Sequence, residues 1–136
     1  MAEPSASVEP WDVYEYAVLR VVPRVERAEF LNVGVLLWCR SREHLAARTA
    51  LDGPRLLALD PGADVDAVGR HVAALQRVCA GAAGSGPAGA EAKGPRFRWL
   101  TAPRSTVLQT SPVHRGVTRD PAAELEHLFA RLVQRG

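Results

Sequence analysis

Residues 13–22 read VYEYAVLRVV and residues 29–40 read EFLNVGVLLWCR, and these two runs decide the fold. Both are rich in β-branched and aromatic residues, and the first stops at Pro23, so both are expected as strands. The connection between them, PRVERA, is charged and of hairpin length. The second run is apolar on both faces, which predicts a central strand covered on each side. Gly34 inside it marks a bulge or the close approach of another element.

Working outward, HLAARTAL over residues 44–51 reads as a third strand or a helical turn, and Asp52-Gly53-Pro54 ends it as a turn. Residues 55–59 form a short apolar run of open type. Asp60-Pro61 then looks like an N-cap with Pro in the first turn, and Val65, Val68, Val72, Leu75 and Val78 follow at helical spacing, predicting a helix over about 62–80. Residues 80–95, AGAAGSGPAGAEAKGP, read as a flexible low-complexity linker. Residues 97–101 and 105–110 are candidate strands, and Asp120-Pro121 repeats the helix-start signal before the stripe Leu125, Leu128, Phe129, Leu132, Val133. Strands, helix, strands, helix predict an α+β fold, an antiparallel or mixed sheet of about four to five strands with two packed helices. Residues 1–11 are expected as a disordered tail and 12–136 as one domain.

Composition excludes several classes. With 47% hydrophobic and 24% charged residues, 136 residues can bury a core without a disulfide or a metal. Cys39 and Cys79 stand far apart in sequence and form neither a metal-ligand pattern nor a disulfide framework, so reduced thiols are expected. The opening ten residues lack the basic start and apolar run of a signal peptide, and no stretch approaches the roughly 18 apolar residues of a membrane span. The expected location is cytoplasmic, with no membrane partner.

A net charge of +2 is too small to imply a nucleic-acid binder, yet from Lys93 to Arg119 there are six basic residues and no Asp or Glu. Lys93 is the single Lys of the chain. Arginine suits bidentate contacts with carboxylates and phosphates. A GC-rich genome that trades Lys codons for Arg is the competing explanation.

The candidate site residues fall into two sets. In the first hairpin, Arg20 shares a strand face with Tyr14, Tyr16 and Val18, and Asn32 shares one with Phe30, Leu36 and Trp38. Polar groups there need partners or an exposed edge. Arg20 with Glu29 across the turn is one expected pair, and a ligand pocket of Arg20, Glu29 and Asn32 is the alternative. The second set is Arg98, Arg104, Ser105, Gln109, Ser111 and His114, rich in donors and free of acids, which would accept a phosphate or another anion. Trp99 among arginines could stack a base. His114, in a segment read as a polar loop, is the candidate general base or phosphate contact. Gly84-Ser85-Gly86-Pro87-Ala88-Gly89 matches G-x-G-x-x-G, but a helix precedes it and Pro87 interrupts it, so no dinucleotide cofactor is expected. The four dispersed histidines offer no metal set.

At YEYAVLRVVP (residues 14–23) and RAEFLNVGV (27–35) the chain resembles the bacterial family catalogued as Domain of Unknown Function 3037. Trp99-Leu100-Thr101, Arg104-Ser105-Thr106-Val107-Leu108-Gln109 and Ser111-Pro112-Val113-His114-Arg115-Gly116 are similar to its C-terminal pattern. The resemblance covers about residues 12–134. It implies no activity that can be carried over. Its members are often encoded beside a HipA-like kinase, which implies a partner, and the 80–95 linker is longer here than the family pattern implies.

Three readings follow: an accessory or binding module, with that kinase as the implied partner; an enzyme on a phosphorylated or nucleic-acid substrate, with His114 as base and Arg20, Arg98 and Arg104 as anion clamps; and a nucleic-acid-binding domain using residues 93–119. They differ in whether the two polar sets meet on one surface.

Overall fold

A computed structural model describes residues 11–134. The expected tail over residues 1–11 lies, apart from Trp11, outside the described residues. In chain order the elements are β1 (Asp12–Val21), β2 (Leu31–Cys39), β3 (His44–Thr49), α1 (Gly53–Leu59), α2 (Val65–Cys79), α3 (Lys93–Leu100), β4 (Leu108–Thr110), β5 (His114–Thr118) and α4 (Pro121–Phe129), which runs on into a π-helical turn at Ala130–Gln134. The five strands form one antiparallel sheet ordered β3-β2-β1-β4, with β5 also paired to β1. The fold is α+β, as expected.

The apolar pattern of β2 is answered by helices on both sides of the sheet. On one face α4 packs Leu125, Leu128, Phe129 and Val133 onto Tyr14, Val35, Leu37 and Cys39. On the other, Leu56 of α1 and Val68 and Val72 of α2 cover Leu19, Val21, Leu31 and Val33. Val78, Cys79, Phe97 and Leu100 complete that layer over Leu36 and Trp38. Each fully buried aliphatic side chain contributes roughly 1.5–3 kcal/mol of transfer free energy.

Gly34 marks both features expected of it. Leu19 pairs with Gly34 but Arg20 with Asn32, so Val33 is an extra residue, a β-bulge. A Cβ on Gly34 would lie 2.8 Å from Thr49 Cγ2 and 3.0 Å from the Arg48 carbonyl oxygen, so β3 approaches closely as well. The bulge resets the alternation of β2. Leu31 and Val33 face the three helices, whereas beyond it Val35, Leu37 and Cys39 face α4. This corrects the expectation that Asn32 shares a face with Leu36 and Trp38, which pack on α2 and α3. Simple alternation holds only where no residue is inserted.

Other expectations are corrected in the same way. Four α-helices stand among the described residues rather than two. Residues 97–101, expected as a strand, belong mostly to α3, whose Phe97 and Leu100 are buried one helical turn apart. That helix begins at Lys93, inside the expected linker; the preceding residues fold as turns, with Ser85 Oγ donating to the Ala82 carbonyl at 2.6 Å and a 3-10 turn at Ala88–Ala90. Asp52 is an N-cap, its carboxylate accepting from the Arg55 N–H at 3.1 Å, so Asp52-Gly53-Pro54 opens a helix. The cap of α2 is Asp64, not Asp60, which instead closes its own turn onto the Gly62 N–H. His114 opens β5 rather than lying in a loop.

Candidate functional site

Even-numbered residues of β1 face α4, and the strands beside β1 add their own side chains to that surface. Arg20 lies between its register partners Asn32 and Gln109, with its guanidinium 4.1 Å above the Phe30 ring. Asn32 Nδ2 donates to the Leu132 carbonyl at 3.1 Å, while Gln109 Nε2 turns back to the Thr106 carbonyl at 2.8 Å. Arg20 Nε and Asn32 Oδ1 are buried with no hydrogen-bond partner. Farther along the strip, exposed His114 pairs with Tyr16, their ring centres 5.2 Å apart. Tyr14, buried beside them, donates to Glu124 Oε2 at 2.7 Å, and burial with that carboxylate raises the phenol pKa above its ordinary value.

The other candidates lie elsewhere or are engaged internally. Glu29 pairs with Arg27 at 3.0 Å, not with Arg20, which is stacked on Phe30 instead. Ser111 is buried, its Oγ accepting from the Val18 N–H at 2.9 Å and donating to the Pro112 carbonyl at 2.9 Å. Arg98 grips Glu15 through both nitrogens at 2.8 and 2.7 Å, which raises the Arg98 pKa. Arg104 stacks 4.6 Å above Trp99 and donates to its carbonyl at 2.5 Å, and Ser105 follows it exposed. Arg20, Asn32, Gln109 and His114 therefore share the α4 face, while Arg98 and Arg104 stand on the three-helix side. His114 is not brought together with Arg98 and Arg104.

One predominantly apolar cleft involves residues that the sequence does not single out together. Between α2 and the segment leading into β4 lies a cleft of about 450 Å³. Leu75, Val78 and Leu108 form its walls, with Trp99 and Val107, 47% and 38% exposed, beside them. His71, Arg104 and Thr106 supply its polar groups. A second hollow of about 280 Å³ shares His71 and Val107 with it and extends to Asp60 and Asp64. Leu75 and Val78 belong to the stripe that sequence periodicity assigns to the core. The available signal was the apolar pair Trp99 and Val107 flanking Pro103-Arg104, since two large apolar residues around a turn seldom both find cover.

Elsewhere, Asp12 accepts from Ser41 at 2.6 Å and Arg42 at 2.7 Å, and these bonds lower its carboxyl pKa. Burial pushes the Cys79 thiol up to about 11. Among the described residues no three His, Cys, Asp or Glu side chains gather around a common point, and no helix is long and apolar enough to cross a membrane.

A five-stranded antiparallel sheet with one helix on one face, three on the other and a cleft beside α2 defines an α+β domain. The chain matches the family described as Protein of unknown function (DUF3037) over residues 16–133, nearly its whole length, and it belongs to that family. No curated protein and no solved structure matches it.

Proposed function

We propose that this chain is a non-catalytic binding module whose cleft beside α2 receives an apolar segment of a protein partner, and that a HipA-like kinase is that partner. The supporting observation is the cleft itself, aliphatic on its walls with an exposed indole beside them. Apolar patches rimmed by polar groups mark interaction sites. Arg104 lines the cleft near Trp99, and the second hollow that adjoins it at His71 carries Asp60 and Asp64, so the polar groups along the two differ in sign. A segment with leucine-like side chains between an acid and a base would satisfy both. The kinase enters from the family resemblance, and the apolar cleft supplies the kind of contact.

Co-expression followed by affinity capture tests it. The wild-type chain should co-purify with the HipA-like kinase encoded beside it, and Trp99→Ala should weaken that complex roughly tenfold or more, as removing an aromatic anchor does. Capture that fails at micromolar concentration, or survives Trp99→Ala and Leu75→Lys unchanged, would sink the reading.

A second reading is favoured by the unpartnered donor Arg20 Nε on the α4 face. There an anion, such as a phosphorylated substrate or single-stranded nucleic acid, would meet Arg20 and Gln109, with His114 as base if the chain is an enzyme. In the same assay format, oligonucleotide binding that falls steeply with salt and disappears in Arg20→Ala would favour this surface over the cleft.

A further inference from the structure

The edges of this sheet are finished differently. Outward backbone groups on an edge strand are an open template for another strand, and proteins usually cover them. On β3, Gln76 Nε2 donates to the Ala47 carbonyl at 2.9 Å, and just before that strand Lys93 Nζ donates to the Glu43 carbonyl at 2.8 Å. On β4, Thr106 Oγ1 donates to the Leu108 carbonyl at 2.8 Å. Among the described residues no side chain bonds the outward backbone groups of β5 itself, and the nearest such bond is from Arg42 Nη2 to the Arg119 carbonyl at 2.7 Å, just after the strand.

Which groups of β5 point outward follows from alternation along β1. Val18 bonds toward Ser111, so Asp12, Tyr14 and Tyr16 present their backbone groups to the same side. Their register partners Thr118, Gly116 and His114 face inward, leaving the N–H and C=O of Arg115 and Val117 on the free edge. Beside that edge apolar side chains lie exposed at the rim of a hollow whose other walls carry Asp12, Glu15, Arg98 and Arg115. Val13 and Val117 are register partners, 51% and 56% exposed, and Trp11, 59% exposed, lines the same hollow as Val13. Scattered apolar residues on a surface are ordinary, but three together along an uncovered edge are not.

We propose that β5 pairs antiparallel with β5 of a second copy of this chain, about a twofold axis at Gly116, so that the two sheets become one. Charge admits this occupant and selects its register. A symmetric pair that uses the outward groups of Arg115 and Val117 can set Arg115 against Arg115, Val117 against Val117, or Arg115 against Val117. The first opposes two arginines, and the second opposes Arg115 to Arg119; like charges directly opposite destabilise a sheet. The third opposes Arg115 to Val117, His114 to Thr118 and Gly116 to Gly116, with no like charges facing. It also lays the aliphatic stem of Arg115 from each copy against the exposed Val117 of the other. At the axis Gly116 carries no side chain, and Tyr14 fills the space where one would be, 2.6 Å from a Cβ built there. This interface uses no residue of the α2 cleft, so its failure and that of the kinase reading are separate events.

Sedimentation of the full chain across micromolar to millimolar concentration tests the pairing. The mass should rise from 14.7 kDa toward twice that value. Val117→Lys, which faces Arg115 of the second copy with a like charge, should abolish the rise while leaving the circular dichroism spectrum unchanged. If that variant misfolds, a register-specific cross-link decides. An Arg115→Cys chain mixed with a Val117→Cys chain should form an intermolecular disulfide, because hydrogen-bonded antiparallel partners stand about 5.5 Å apart at Cα, within disulfide reach. A single-copy mass at every concentration overturns the proposal. So does a dimer that persists in Val117→Lys and gives no cross-link in the mixture, or a monomer whose β5 amides are protected only when the kinase is added.

Discussion

Ser111 reads in the sequence as an outward hydroxyl suited to a phosphate, yet its oxygen is used within the sheet. It stands where β4 gives way to β5, and it replaces a backbone acceptor for the Val18 N–H that the change of register removes. A buried N–H left without a partner costs about 1–3 kcal/mol, so Ser111→Ala should destabilise the fold by that amount while Ser111→Thr, which keeps the hydroxyl, should lose much less. Equilibrium denaturation would show the difference, and equal losses for the two variants would mean that the hydroxyl contributes no hydrogen bond. Arg20 illustrates the opposite case. Its expected partner Glu29 is held by Arg27 in the turn, so the guanidinium stays on the sheet over Phe30 with its Nε unsatisfied. Residue type signals hydrogen-bonding capacity in both instances, and only the register tells whether that capacity is consumed.

Elements of strong periodicity are readable from the chain: the first two strands, α2 and α4 all stand within a few residues of where their patterns put them. The weaker ones are not, for physical reasons. FRWLT looks extended by composition, but Phe97 and Leu100 are placed by packing against Leu36, Trp38 and Val78, a tertiary preference that overrides local propensity. The same Asp-x-Pro capping chemistry that starts α1 was legible at Asp52, and its Gly53 made it look like a turn. The candidate site was readable only in part, because one inserted residue at Val33 decides which face receives Asn32, and Gly34 signals a bulge or a close approach without telling which face each neighbour then takes. Gly34 beside it is the element-scale constraint. Gly34→Ala would drive a methyl group into Thr49 Cγ2 and the Arg48 carbonyl, and overpacking of this kind costs typically 1–3 kcal/mol, roughly, with β3 displaced. Hydrogen exchange should then show weakened protection of β3 amides ahead of those in β1; unchanged protection would place the slack elsewhere.

At the scale of the whole molecule the two layers share one sheet and carry one alkaline sensitivity each. Cys79 lies under the three helices with its thiol raised from about 9 to about 11 by burial, and Tyr14 lies under α4 with its phenol raised from its ordinary 10.0 by burial and by Glu124. Both groups are neutral when protonated, and a raised pKa in the fold means that unfolding makes each a stronger acid. Their contribution to stability is therefore complete below the unfolded thiol's value near 9 and is lost as pH rises, first through Cys79 between about 9 and 11, then through Tyr14 from 10 upward. Asp12 acts at the other end, its lowered pKa giving a contribution present above 3.8 and lost as the pH falls through the folded value. Because β1 and β2 belong to both layers, loss of either should unfold the domain in one transition rather than peel off one layer. Urea denaturation at pH 8, 9, 10 and 11 should show a single transition whose free energy falls steadily above pH 9, and Cys79→Ala should flatten the fall up to about pH 10 while leaving the steeper loss beyond it to Tyr14. A wild-type free energy that is level from pH 9 to 11, or two resolved transitions, would contradict a core in which these two buried acids sit on opposite sides of one cooperative sheet.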